Sequence, residues 1–277
     1  MTTLKEELAA APLGHATDYP DRYDASLLFA VPRAPQREEL GIGGDLPFAG
    51  ADVWTAYEQT WLDRDGKPCI AIVSFVVPVA SPSIVESKSV KLYLGSFAQS
   101  RFAGAREVGE VIERDLSAAT GAPVRVAMTP QRAFAQARIA DLAGESLDDV
   151  AIATDRYEVD PLSLCAEGDT VSETLRSDLF RSVCPITGQP DYASVALAYR
   201  GPRIDRAGLL RYLVSYREHA GFHEHCAERI FVDVAARCRC EALTVNTRFT
   251  RRGGLDINPF RTNAGAAVPP NVRTPRQ

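Results

Sequence analysis

The chain lacks the marks of several protein classes. No run of apolar residues is long enough to cross a bilayer, and the N-terminal stretch MTTLKEELAAAPLGHATDYP has no apolar core flanked by basic residues. The expectation is a cytoplasmic protein, neither secreted nor membrane-bound. Lys and Arg form no long basic face and the formal net charge is -5, so the electrostatic footprint of a nucleic-acid binder is missing. A small-molecule partner is expected instead. No strand-turn-helix carries a GxGxxG spacing, because Gly41-Ile42-Gly43-Gly44 lacks the third glycine and the helix that should follow. Any nicotinamide cofactor must then bind outside a Rossmann fold. The cysteines at 69, 165, 184, 226, 238 and 240 lack an export signal before them, which reads as reduced thiols, some free to react. His223, His225, Cys226, Cys238 and Cys240 invite a zinc reading, but Cys238-Arg239-Cys240 is too tight for typical structural zinc. No metal is expected.

What the chain does have is core. With 277 residues, 45% hydrophobic and 24% charged, it can build one large domain or two small ones. Residues 1–50 are rich in Pro and Gly and read as an extension packed on the body, as does the Pro/Asn/Arg tail after Phe260.

The body resembles itself at a displacement of about 120 residues. Gly66-Lys67-Pro68-Cys69 matches Gly188-Gln189-Pro190-Asp191, Lys91-Leu92-Tyr93-Leu94 matches Arg211-Tyr212-Leu213-Val214, and Phe102 matches Phe222. In the first half, residues 69–79 read as a strand, and Val90, Tyr93, Leu94 and Phe97 fall at helical spacing. Val108, Val111, Ile112 and Leu116 make a second helical stripe that ends near Gly121, and Val124, Val126 and Met128 alternate as a strand does. The second half repeats this with a strand at 192–200 and helices carrying Leu209, Leu210, Leu213 and Val214, then Ala227, Ile230, Phe231 and Val234. Its returning strand alternates Leu243, Val245, Thr247 and Phe249. The order predicts an α+β fold of two tandem units, 51–145 and 146–277, each an antiparallel sheet backed by a helix pair. A site at the junction of the units is expected.

Cys184 lies in a turn-rich loop before a strand, where it reads as accessible. A free thiol near pKa 8.5 is only about a few per cent thiolate at neutral pH, so a nucleophilic role needs a neighbouring base or positive charge. Asp191 and His223 are the candidates; an inert, turn-capping cysteine is the bland account. His223 and Glu224 open the second helix of the second half. Glu224 there serves either the helix dipole or, as an acceptor, the N–H edge of a purine-like base. Glu86-Ser87-Lys88-Ser89-Val90-Lys91 opens a helix with Ser at plausible cap positions. Arg251-Arg252-Gly253-Gly254 and Arg261 flank a short segment and form either a phosphate grip or a solvated basic loop.

Taken together, ESKSVKLYLGSF (86–97), SVCPITGQPDYA (182–193), FHEHCAERIF (222–231), RRGGLDINPFR (251–261) and DYPDRYDASLLFAVPR (18–33) resemble the NADPH-dependent 7-cyano-7-deazaguanine reductases of the queuosine pathway, in their long, two-unit form. The resemblance implies a tunnelling fold, a homodimer, and two NADPH consumed per turnover. It also implies that Cys184 attacks the nitrile carbon to form a thioimidate, that Asp191 is the general acid/base, and that His223 orients the substrate and assists proton transfer. Glu86 and Glu224, with Ser87, would hold the deazaguanine. Ser87, Lys88, Lys91, Arg251, Arg252 and Arg261 would contact NADPH. With Leu62 near the position equivalent to Cys184 and Cys69 opposite Asp191, the first half would hold no second reactive centre. Rival readings are a zinc-dependent cyclohydrolase on the same fold and a non-catalytic deazapurine-binding protein.

Overall fold

A computed structural model describes residues 18–277. The first 17 residues of the N-terminal extension lie outside the described range. The chain forms two compact units: residues 18–41, Asp52–Arg138 and Arg251–Asp256 make unit 1, and Ile42–Ala51, Ile139–Thr250 and Ile257–Gln277 make unit 2.

Unit 1 holds strands β1 (Ala30–Pro32), β2 (Ala49–Leu62, of which its first residues belong to unit 2), β3 (Pro68–Pro78), β4 (Ser83–Val85) and β5 (Arg125–Pro130). Its helices are α1 (Ala34–Glu39), α2 (Ser87–Gly95) and α3 (Ala105–Thr120). The sheet order is β5-β3-β2, with β3 and β5 antiparallel, and β1 pairs with β4 as a separate ribbon. Strand β3 explains the layering: Ala71, Val73, Phe75 and Val77 point inward at the two-residue period of a half-buried strand. Val108, Ile112 and Leu116 cover that face from α3, which packs on β3, β4 and β5. Helix α3 ends where its periodicity stops, at Gly121 in the left-handed region.

Unit 2 holds β6 (Glu145–Ser146), β7 (Ala166–Val183), β8 (Pro190–Ile204), β9 (Ala242–Phe249) and β10 (Leu255–Thr262, which begins in unit 1), with α4 (Arg206–Val214) and α5 (His223–Cys238). Its sheet order is β10-β9-β8-β7-β6, antiparallel but for the two-residue β6–β7 pairing. Helix α5 buries Ala227, Ile230, Phe231 and Val234 and packs on β7, β8 and β9. The expected α+β pattern, antiparallel sheets backed by helix pairs, is present in both units.

Strand β10 is buried at every position, polar Asp256, Asn258 and Arg261 included, whereas Arg251 before it is exposed. The tail beyond it docks through Gln277, whose side-chain amide donates to the Phe249 carbonyl and to Asn258 Oδ1. No helix among the described residues is long and apolar enough to cross a membrane.

Candidate functional site

The site in unit 2 is assembled by backbone hydrogen bonds. In the β7–β8 hairpin Ser182 stands opposite Asp191 and Val183 opposite Pro190. The turn closes when Cys184 N–H donates to Gln189 O at 2.8 Å and Gly188 N–H to Cys184 O at 3.0 Å, with Gly188 at φ 67°, where a side chain would be strained. Val183 then bonds outward. Its N–H donates to His219 O at 2.9 Å and its carbonyl accepts from Gly221 N–H at 3.1 Å, a short parallel bridge to Ala220. That bridge ties the strand end bearing Cys184 to the segment running into α5, whose first residue is His223. Residues almost forty positions apart in sequence are thereby held on adjoining backbone.

Enclosure follows from the same bonds. Cys184 is 6% exposed, which corrects the expectation of an accessible loop cysteine. Asp191 is buried on β8, and His223 Nε2 lies 3.4 Å from its Oδ1, somewhat beyond the best hydrogen-bond range. The His223 ring lies flat on Phe249, centroids 3.7 Å apart and planes 1° from parallel, while its Nδ1 is buried with no hydrogen-bond partner among the described residues. Glu224 is buried in the first turn of α5, a helix start that no side chain caps, where the unpaired N–H groups favour a negative charge.

A second thiol, Cys226, is wholly buried on α5. Burial pushes the Cys226 thiol up to about 12, and the Asp191 and Glu224 charges add to the rise. It stays protonated near neutral pH and is a poor nucleophile. His219 and His225 are held down at about 4, first by burial and then by Arg229, so both are neutral imidazoles at pH 7. His225, for which the sequence suggests no role, is a core histidine edge-on to His219.

Unit 1 carries the other expected residues. Glu86 is the N-cap of α2, correcting the expectation of a serine cap: Oε1 accepts from Lys88 N–H at 2.7 Å and Oε2 from Ser89 N–H at 2.8 Å. The carboxylate is 1% exposed and fixed in orientation. The Ser87 hydroxyl lies 3.5 Å from Glu86 Oε1. One turn along, the Lys91 stem runs against Gly253, where a Cβ would come within 3.3 Å of Lys91 Cδ. Arg252 N–H donates to Leu255 O to close the turn, and the exposed Arg251 guanidinium sits 4.6 Å from the centroid of the Tyr57 ring, whose hydroxyl donates to Asp256. A glycine that makes room for a lysine stem, beside paired arginines, suits a phosphate-bearing cofactor.

Arg261 stands apart from that group. Its guanidinium is wholly enclosed within unit 2, donating to Glu228 at 2.9 Å and to the carbonyls of Ala51 and Phe260. Among the described residues, no group of three or more His, Cys, Asp or Glu side chains is placed to hold a metal ion. Two site neighbours escaped sequence reasoning. Phe249 reads only as the last inward position of an alternating strand, and Tyr57 lies in a strand that was not identified.

Comparisons with known proteins bear on the same segments. A family model for the N-terminal part of the nitrile reductase 7-cyano-7-deazaguanine reductase matches residues 19–128, and one for QueF-like proteins matches residues 190–267. The NADPH-dependent 7-cyano-7-deazaguanine reductase of Burkholderia vietnamiensis is 56% identical over 269 residues, 96% of this chain and 98% of its own. That of Bordetella avium is 54% identical over 271 residues, 98% of this chain and 99% of its own. Among solved structures, the archaeosine synthase QueF-Like in the apo form aligns with 36% of this chain and 99% of its own at 20% identity, with a TM-score of 0.32.

Proposed function

Because the chain belongs to the family of NADPH-dependent 7-cyano-7-deazaguanine reductases, we propose that Cys184 captures the nitrile carbon of 7-cyano-7-deazaguanine as a thioimidate that is then reduced to the aminomethyl product. The NADPH-dependent reduction itself goes with the name its relatives carry across nearly their whole length. The covalent route is supported by one observation above the rest: the Val183–Ala220 bridge, which holds the Cys184 turn beside the start of α5 while Asp191 and His223 stand 3.4 Å apart.

The chemistry asks little that these residues cannot give. A nitrile is a weak electrophile, and adding a thiolate to its carbon turns the C≡N bond into C=N. The nitrogen takes the proton that Asp191 supplies, and His223 passes protons to and from that carboxyl group. NADPH supplies hydride, two equivalents for the four electrons between nitrile and amine. Between the two reductions the C–S bond breaks, and Cys184 leaves as a thiol ready for the next turnover. Burial of Cys184 keeps water from the thioimidate, which hydrolysis would otherwise discharge. Glu224 accepts from the N–H edge of the base, the role assigned also to Glu86 with Ser87. Lys88, Lys91, Arg251 and Arg252 hold the cofactor phosphates. We assign Arg261 an indirect part, keeping β10 against α5 through Glu228. The product is a precursor for queuosine in tRNA. Six free thiols suit a reducing cytoplasm, and the working form is a homodimer.

Intact mass spectrometry tests the route. Protein mixed with the nitrile and no cofactor should gain the mass of one substrate, Cys184→Ala should not, and NADPH should discharge the adduct with two equivalents oxidised. A turnover-competent protein with no adduct under any condition would exclude covalent capture.

A further inference from the structure

The geometry points to Phe249 as a positioning residue for His223: it holds the imidazole in a fixed plane so that Nε2 alone addresses Asp191. This rests on the proposed role of His223 and adds a residue to it. Phe249 itself touches neither substrate nor cofactor in this reading.

Three observations carry the inference. The stack is close and parallel, 3.7 Å between centroids and 1° between planes, so the ring cannot tilt about its Cβ–Cγ bond without striking the phenyl face. Hydrogen bonding holds the ring only weakly. Nδ1 has no hydrogen-bond partner among the described residues and Nε2 is 3.4 Å from Asp191, whereas an oriented catalytic histidine ordinarily has one ring nitrogen held by a carboxylate or carbonyl. The phenyl face therefore does the work such an acceptor does elsewhere. Phe249 is in turn immobile. It is fully buried, lies opposite Ala193 in the β8–β9 ladder, meets Phe180 edge-on at 5.9 Å, and its carbonyl accepts from the Gln277 amide.

The test compares Phe249→Leu, Phe249→Tyr and His223→Ala with the unaltered protein. Leu keeps the apolar volume and removes the ring, and about a tenfold drop in kcat is expected, the effect of misorienting one proton-transfer group, with KM for the nitrile within about twofold. Tyr keeps the ring and should restore kcat. The chain has four histidines, so 13C-labelled imidazole signals can be assigned singly. In the unaltered protein the His223 Cε1–H should resonate upfield through the phenyl ring current, and Phe249→Leu should abolish that displacement. This signal is read on the unaltered protein even where a variant folds poorly. No upfield displacement there, or Phe249→Leu with unchanged kcat while His223→Ala is inactive, overturns the positioning role alone. His223→Ala with full turnover overturns the role of His223, and with it this inference.

Discussion

The two units share a backbone and differ in what it carries. Helices α2 and α4 are both 9 residues long, and α3 and α5 both 16. The resemblance extends to single hydrogen bonds. In unit 1 Asp63 N–H donates to Lys67 O and Gly66 N–H to Asp63 O, with Gly66 at φ 91°, as Cys184, Gln189 and Gly188 do in unit 2. Leu62 makes a parallel bridge to Arg101, as Val183 does to Ala220. The residue equivalent to Cys184 is therefore Asp63. Matching by sequence pattern puts Leu62 there because the unit 2 turn is one residue longer. Side chains then part company: Arg106 and Glu110 near the start of α3 form an exposed pair, while α5 buries Glu224 and His225 in its first turn. The two units share the bonds that close these turns and differ in the side chains that the turns and helix starts carry.

The largest effect should come from moving the thiol. Cys184→Ala is expected to lose turnover by about a thousandfold or more, since it removes the proposed nucleophile outright. Adding Asp63→Cys to that variant restores a thiol on the same backbone turn, but in unit 1 Cys69 occupies the place of Asp191 and no histidine lies among its described residues. Neither adduct nor turnover should return. A recovered adduct would mean that the turn alone activates a cysteine, and the contrast between the units would dissolve.

Acid should separate the units next. His219 and His225, both in unit 2, have folded pKa values near 4, below the unfolded value of 6.5. The unfolded chain then binds more protons between those values, so stability is intact above about pH 6.5 and falls as pH drops toward 4. Each proton contributes at most about 1.4 kcal/mol per pH unit. Denaturant melts from pH 7 to 4.5 should show the decline, and hydrogen exchange should show faster opening of α5 before α3. Replacing both histidines by Gln should flatten the slope; an unchanged slope would place the acid sensitivity elsewhere.

How much of this the sequence discloses depends on which elements have one wet face. Strand β9 and the four long helices are legible because burial on one side imposes a period, and β3 and β8 through their β-branched and aromatic content. Strand β7 is not, since its first half is largely exposed and bulges between Glu167 and Thr170 and between Ser177 and Phe180 reset the alternation. Strand β10 has no period at all: it is buried throughout, and its polar residues are satisfied by Tyr57, Gln277 and Glu228, partners that no local pattern foretells. For the candidate site, Asp191 and His223 can be named from the sequence as possible partners of Cys184, but their separate roles come only from family resemblance, because the bridge between the Cys184 turn and the start of α5 is backbone to backbone and leaves no mark in residue type. The Phe249 stack left none either, an inward Phe in a strand being ordinary core.

The smallest effect, and the sharpest for the comparison, belongs to Asp63. Its Oδ1 accepts from the N–H groups of Asp65 at 3.0 Å and Lys67 at 2.9 Å, and the bond from Lys67 is the main cause holding its carboxyl below the usual 3.8. A lowered carboxyl pKa lends stability above 3.8 that is lost as pH falls through the folded value. Because Asp63 is partly exposed at the surface, water screens the gain, and Asp63→Ala should lower the melting temperature only slightly at pH 7 without touching turnover. The amides of 65 and 67 should exchange faster and those of 186–189 should not. Cys184 has no such acceptor to offer its own turn. Unit 2 closes with backbone bonds, the bridge to Ala220 and a long bond from Gln189 N–H to the Thr187 hydroxyl, none of which uses the side chain at 184; equal exchange at 65 and 67 in both proteins would remove that reason for a cysteine being tolerated there.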